Sequence, residues 1–280
     1  MIAPIRIEDP GDERLADYAA LNDPALRKRY EHELGVFIAE GPNVVRELLT
    51  SAYRTRSVLV VEEQLASMAA DLRHLDAPVY VVTRSLLYAL VRFKLHQGVL
   101  ACGARRPAAE LDTVLADART VAVLDALNDH ENLGTLFRSA RGLGVDAVLL
   151  GPGCADPLYR RSVRVSMGHV LHVPFTKVAG LDDTLPRLHA AGFASVALTP
   201  RDDAVDLATM ARPRERVAIV LGAEGPGLDV ETIAAATHAA RIAMHAGVDS
   251  LNVAAAGAIA FHALAADRPA SPVPVRAGRW

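Results

Sequence analysis

Asn132, Gly134 and Arg138 lie in N-D-H-E-N-L-G-T-L-F-R (128–138), directly after the apolar run V-A-V-L at 121–124 and Asp125. An amide can orient a hydroxyl, a missing side chain admits a close neighbour, and a guanidinium can hold a phosphate. A second segment, L-G-A-E-G-P-G-L (221–228), ends the apolar run 217–221 and offers Gly222, Glu224 and Gly227. Its three glycines in six residues form a turn whose amides can face a ligand. Glu224 adds a carboxylate for hydrogen bonding or charge stabilisation. This loop has neither the Gly-Lys-Ser/Thr of a P-loop nor the G-x-G-x-x-G of a dinucleotide fingerprint. A third segment, S-L-N-V-A-A-A-G-A-I-A (250–260), sets Ser250, Leu251 and Asn252 ahead of a stretch dense in small residues.

Each segment has a plain reading of its own. The first can be a capped helix with a surface arginine, the second a tight turn, the third a core helix with a serine cap. Together they follow apolar runs, where an α/β sheet binds its ligands, and three in one half of the chain point to one composite site. The expected local structure is a helix starting at Asn132 as N-cap, with Arg138 four residues beyond Gly134 on one face. Ser250 is the expected cap of a helix from Leu251, with Asn252 in its first turn.

The elements that must position these residues follow a regular rhythm. Apolar runs at 121–124, 147–150, 170–173, 195–198, 217–221 and 241–244 are short and mostly uninterrupted, as in strands covered on both faces. Helical stretches separate them, which predicts a mostly parallel sheet between helix layers. Before a break near R-R-P-A-A-E (105–110) lie strand-like runs at 57–61, 79–82 and 98–102 and a helical pattern from Pro42 to Ala52, a small α/β unit. The division expected is 1–106, 107–268 and a Pro-, Ala- and Arg-rich tail, 269–280, expected to be disordered.

Composition sets outer bounds. The 280 residues are 51% hydrophobic and 22% charged, enough for a full core in one large domain or two ordinary ones. No apolar run reaches the roughly 18–20 residues of a membrane span, and the N-terminus lacks the pattern of a secretory signal. Cys102 and Cys154 lie far apart in no ligand pattern, which suits a cytoplasmic protein with two free thiols. Ten histidines form no ligand cluster in sequence, so no metal is expected; His130, His169 and His245 are read as structural or incidental. The net charge of −3 decides nothing about nucleic acid. Basic clusters stand at Arg27, Lys28 and Arg29, at Arg92, Lys94 and His96, and at Arg160, Arg161 and Arg164. Such clusters can contact phosphates, although solvated helix faces give the same pattern and are the commoner cause.

In order, spacing and strand-end placement the three segments resemble the motifs of the SpoU (TrmH) family of SPOUT RNA methyltransferases, over about 115–265. Asn132, Gly134 and Arg138 match the first motif, Gly222, Glu224 and Gly227 the second, and Ser250, Leu251 and Asn252 the third. The resemblance implies methyl transfer from S-adenosylmethionine to a ribose 2′-hydroxyl of RNA, a deep trefoil knot and a homodimer with the site near its interface. It also implies donor contacts at Gly222, Gly227, Ile242 and Leu251, and a catalytic group of Arg138, Asn132, Glu224, Ser250 and Asn252. F-I-A-E-G-P-N-V-V-R-E-L-L (37–49) and H-Q-G-V-L-A (96–101) resemble the L30-like substrate-binding domain of the same family. Two positions depart from the family pattern: His130 stands where relatives commonly have proline, and Asp249 precedes Ser250. Ribosomal RNA is the expected substrate, with transfer RNA as the alternative. The rivals are a non-catalytic RNA-binding, ribosome-associated factor and an unrelated nucleotide-dependent enzyme.

Overall fold

The first strands form wherever β-branched and other apolar residues run together. In chain order the elements are β1 (Ile5–Arg6), β2 (Val36–Glu40), α1 (Pro42–Thr50), β3 (Thr55–Val61), α2 (Glu62–Leu72), β4 (Val79–Val82), α3 (Arg84–Val91) and β5 (Val99–Ala104). They make a mixed five-stranded sheet of order β1-β4-β3-β5-β2, parallel at β1–β4 and β4–β3 and antiparallel at β3–β5 and β5–β2. Pro42 opens α1 with its φ already helical and no N–H to lose. The computed structural model describes residues 3–23, 33–210 and 216–265; the cluster at Arg27, Lys28 and Arg29 and the tail from 269 lie outside the described residues.

Residues 105–110 carry no helix or strand. After them come α4 (Leu111–Leu115), β6 (Thr120–Leu124), α5 (His130–Leu143), β7 (Ala147–Leu150), α6 (Arg160–Val165), β8 (Phe175–Lys177), α7 (Leu181–Ala190), β9 (Phe193–Leu198), β10 (Val205–Asp206), β11 (Arg216–Leu221), α8 (Val230–Ala235), β12 (His238–Arg241) and α9 (Val253–Leu264). The second sheet has seven strands in the order β10-β12-β9-β11-β6-β7-β8, and every pairing is parallel. β6 and β7 are buried along their whole length and β11 from Val217 onward, as the uninterrupted apolar runs require.

Two expected strands are corrected. The run 170–173 is a turn of 3-10 helix, His169–His172, because Gly168 at φ +83° redirects the chain and the edge strand begins only at Phe175, after Pro174. The run 241–244 is mostly loop; the strand is His238–Arg241, whose polar and alanine residues hide it from an apolarity pattern.

The two sheets share packing. One buried cluster includes Phe37, Val60, Val81 and Ala101 from the first, Leu124, Val148 and Ile219 from the second, and Leu136 of α5. Gly134 lets α5 lie against α6: a Cβ there would stand 2.7 Å from the Ser162 carbonyl oxygen. Polar ties cross the same seam. Arg105 grips Asp156 with both terminal nitrogens, at 3.2 and 2.6 Å, and its Nε donates to the Val36 carbonyl at 3.0 Å. Among the described residues no helix is long and apolar enough to cross a membrane.

The Arg105–Asp156 pair has a pH signature. Burial pushes the Asp156 carboxyl up, but the Arg105 hydrogen bonds and charge and the Leu158 N–H outweigh it and hold the group below the usual carboxylate range. A depressed folded pKa contributes stability that is full above the unfolded value of about 3.9 and is lost as pH falls through the folded value. Arg105→Ala should therefore cost about 1.5–3 kcal/mol at neutral pH, and less in acid. Urea unfolding at neutral pH and below pH 4 checks it; an equal loss at both would remove Asp156 as the cause.

Candidate active site

The three polar segments meet at the carboxyl ends of β6, β11 and β12, of which β6 and β11 are neighbours and β12 lies beyond β9. β6 leads through 125–129 into α5, β11 into the loop 222–229, and β12 through 242–252 into α9. Asn252 is the junction. Its Nδ2 donates to Asn132 Oδ1 at 2.8 Å and to Glu224 Oε1 at 2.7 Å. Its Oδ1 accepts the N–H groups of Ala254 and Ala255 and so caps α9. Glu224 Oε1 also accepts the Val253 N–H at 3.3 Å, which sets a carboxylate at the positive end of α9. One side chain from each segment is thus fixed in a single network, with all three reachable from solvent.

Helix starts differ from the expected ones at both ends of this network. Asp129, not Asn132, caps α5, accepting from the Glu131 and Asn132 N–H groups at 2.8 Å each. That leaves the Asn132 side chain free to meet Asn252 from the first turn. Asn252, not Ser250, caps α9, and the helix begins at Val253 rather than Leu251. Asp and Asn cap as well as Asn and Ser do, so D-H-E-N and S-L-N each contain two candidates that sequence cannot rank. Ser250 is exposed and donates only to Asp249, at 3.3 Å, among the described residues.

Arg138 stands apart from the network. It is exposed, six residues beyond Asn132 and so about 9 Å farther along α5, and has no hydrogen-bond or ion-pair partner among the described residues. Gly134 meets protein backbone rather than open space.

The loop 222–229 folds on itself. Ala223 and Gly227 form an isolated bridge, and Gly225 and Gly227 take φ of +92° and +71°. Beside it, residues 242–251 make one backbone–backbone hydrogen bond among the described residues, Val248 N–H to His245 C=O. A strip of unused backbone donors and acceptors results, next to the half-buried Ile242 and the exposed Val248 and Leu251. Such a strip fits a ligand with an apolar ring and several polar edges held through main-chain atoms, which is the chemistry of an adenosyl group. Among the described residues no group of three or more His, Cys, Asp or Glu side chains is arranged to hold a metal. His130 stacks edge-on against Tyr159, with ring centres 4.2 Å apart.

Sequence reading passed over Asp125 and Asp129. Asp125 directly follows β6 and is half-buried, and burial, then the nearby Asp229, raises its pKa. Both lie in the polar run after a strand, the signal by which they could have been found.

Asn252 holds two jobs that one substitution separates. Asn252→Asp keeps a good cap but replaces the donor with a carboxylate facing Glu224. The expected outcome is a loss of on the order of 10² in activity, with helix content by circular dichroism unchanged. Unaltered activity would free Asn252 of any role beyond capping.

A family model described as the SpoU rRNA Methylase family matches residues 119–262, and one described as RNA 2′-O ribose methyltransferase substrate binding matches 38–105. The chain is 44% identical over 256 residues to an uncharacterised tRNA/rRNA methyltransferase of Mycobacterium tuberculosis, covering 91% of this chain and 89% of the relative. It is 27% identical to the 23S rRNA (guanosine(2553)-2′-O)-methyltransferase RlmP of Bacillus subtilis, over 92% of this chain and 98% of that one. The crystal structure of an AdoMet-bound rRNA methyltransferase from Sinorhizobium meliloti superposes with a TM-score of 0.79 at 27% identity, covering 92% and 96% of the two chains.

Proposed function

Because this chain belongs to the SpoU family of rRNA methylases, we propose that it methylates a ribose 2′-hydroxyl of RNA, with S-adenosylmethionine as donor and ribosomal RNA as substrate. The observation that carries the reading is the Asn132–Asn252–Glu224 network, which draws one side chain from each of three segments to one point. S-adenosylmethionine, when bound, supplies an electrophilic methyl group. Gly222, Gly227, Ile242 and Leu251 would hold it, chiefly through backbone atoms. Asn132, Glu224, Ser250 and Asn252 would orient the ribose. A guanidinium holds its proton so firmly that it is a poor base. Arg138 instead clamps the neighbouring phosphate and favours the ionised hydroxyl, while that phosphate or water takes the proton.

The same reading makes residues 1–106 the L30-like RNA-binding domain and 107–268 the methyltransferase domain, and places the protein in the cytoplasm with its RNA. It also implies a trefoil knot. Supporting this, β12 lies on the far side of β9 from β11, yet α9, which follows it, returns to pack on β11 and α5. A homodimer would cover the exposed Ile259 and Leu251 on and before α9 and bring a second chain to Arg138.

Purified protein is incubated with methyl-labelled S-adenosylmethionine and unmodified ribosomal or transfer RNA, and the RNA is digested with alkali. A 2′-O-methyl group blocks cleavage, so label in alkali-resistant dinucleotides is the expected result. Label in mononucleotides would mean base methylation. Label from transfer RNA alone would change the substrate, and donor binding absent altogether would leave an RNA-binding factor.

A further inference from the structure

Arg160, Arg161 and Arg164 project from α6, which contains no acidic residue and packs against β2 of the first sheet and against α5. Arg160 is a brace. Its side chain is only 15% exposed, pairs with Glu40 at 2.7 Å, donates to Asn22 and lies over the Phe93 ring at 4.8 Å. Arg161 and Arg164 are different. Their side chains are 53% and 50% exposed, and each meets a carboxylate, Glu131 at 2.6 Å and Glu40 at 3.3 Å.

Their position joins two regions. Glu131 precedes Asn132 on α5 and shares an exposed face with Thr135 and Arg138, at helical spacing. On the other side, Phe93 ties α6 to the segment after α3, where Arg92, Lys94 and His96 are exposed. α6 therefore forms an arginine-lined bridge from that segment to the Asn132 network. A guanidinium grips carboxylate and phosphate with the same planar fork. The Arg161–Glu131 pair is exposed on both sides and contributes little, so exchanging that carboxylate for a phosphate is easy, while Glu40 keeps its shorter contact with Arg160 if Arg164 turns to a phosphate.

We propose that Arg161 and Arg164 bind RNA backbone phosphates along this bridge, and that Glu131 holds Arg161 in the free protein as a stand-in for phosphate. The proposal rests on the RNA methyltransferase reading above. It differs in sign from a structural ion pair. If Glu131 competes with phosphate, removing its charge tightens RNA binding; if the pair merely braces α5 and α6, removing it loosens binding.

The test measures binding of a fluorescein-labelled, mixed-sequence RNA oligonucleotide to the full chain by anisotropy across a potassium chloride series. Donor binding by calorimetry serves as the control for folding. Arg161→Ala and Arg164→Ala should each weaken RNA binding about fivefold and lower the salt slope by about 0.7–1, with donor affinity unchanged. Glu131→Gln should tighten it severalfold. Unchanged affinity and slope in both arginine variants, or weaker binding in Glu131→Gln, would overturn the proposal. If wild-type protein neither binds RNA nor transfers label, the enzyme reading falls and the bridge with it. If it does both while the variants match it, the bridge alone falls.

Discussion

Replacing Arg138 by alanine should slow methyl transfer by on the order of 10²–10³ while leaving the dissociation constant for S-adenosylmethionine unchanged. The side chain lies outside the Asn132–Asn252–Glu224 network, about 9 Å farther along α5 from Asn132, and solvates its charge without a partner among the described residues. Its loss removes no packing, so stability should barely move. An interaction made mainly in the transition state lowers kcat more than it raises KM. Arg138→Lys refines the test: it keeps the charge but not the planar fork. An intermediate rate supports phosphate clamping, whereas a full rate in Arg138→Lys would refute the positioning role. Methyl-labelled single-turnover assays at saturating RNA measure the chemical step directly.

Gly222→Ala should weaken donor binding by about 10- to 100-fold. A Cβ at this position would stand 2.4 Å from the Gly227 carbonyl carbon and 2.5 Å from the Leu228 nitrogen. Both are backbone atoms, so no rotamer change relieves the clash, and the loop that bridges Ala223 to Gly227 must open. Overpacking of this kind costs about 1–3 kcal/mol, and each 1.4 kcal/mol paid out of binding is a factor of about ten. Gly225→Ala is the contrast. Its Cβ would meet nothing within 4 Å, and only its φ of +92° resists a side chain. Calorimetry on both variants should show the larger loss at Gly222; equal losses would shift the cause from close approach to backbone conformation.

Much of this fold was legible in the chain. Runs such as V-A-V-L and V-A-I-V-L became β6 and β11 because a parallel strand buried on both faces has to be apolar throughout. β12 escaped for the opposite reason: His-Ala-Ala-Arg carries no run of bulky residues, and its place is fixed by pairing to β9 and β10, partners distant in sequence. The turn at 169–172 shows the limit of apolarity alone, since Val170 and Leu171 are buried by packing without joining a ladder. In the site, the residue types and their strand-end placement were readable. That Asn252 would be both cap and junction was not, because it depends on α9 starting two residues later than the serine suggests.

The order of strands in the second sheet has a consequence for synthesis on the ribosome. β6, β7 and β8 lie side by side and can assemble once residues up to 177 have emerged. The other side of β6 must wait for β11, paired to it from Val217↔Thr120 onward, roughly a hundred residues later. Until then a buried strand has an open edge, the kind of surface that recruits other chains or chaperones. Asn252 emerges later still, and among the described residues it alone joins Asn132 to Glu224. α9 emerges directly after it, and Val253, Ala254, Phe261 and Leu264 then join the buried cluster, so the polar network and the last part of the core are completed together.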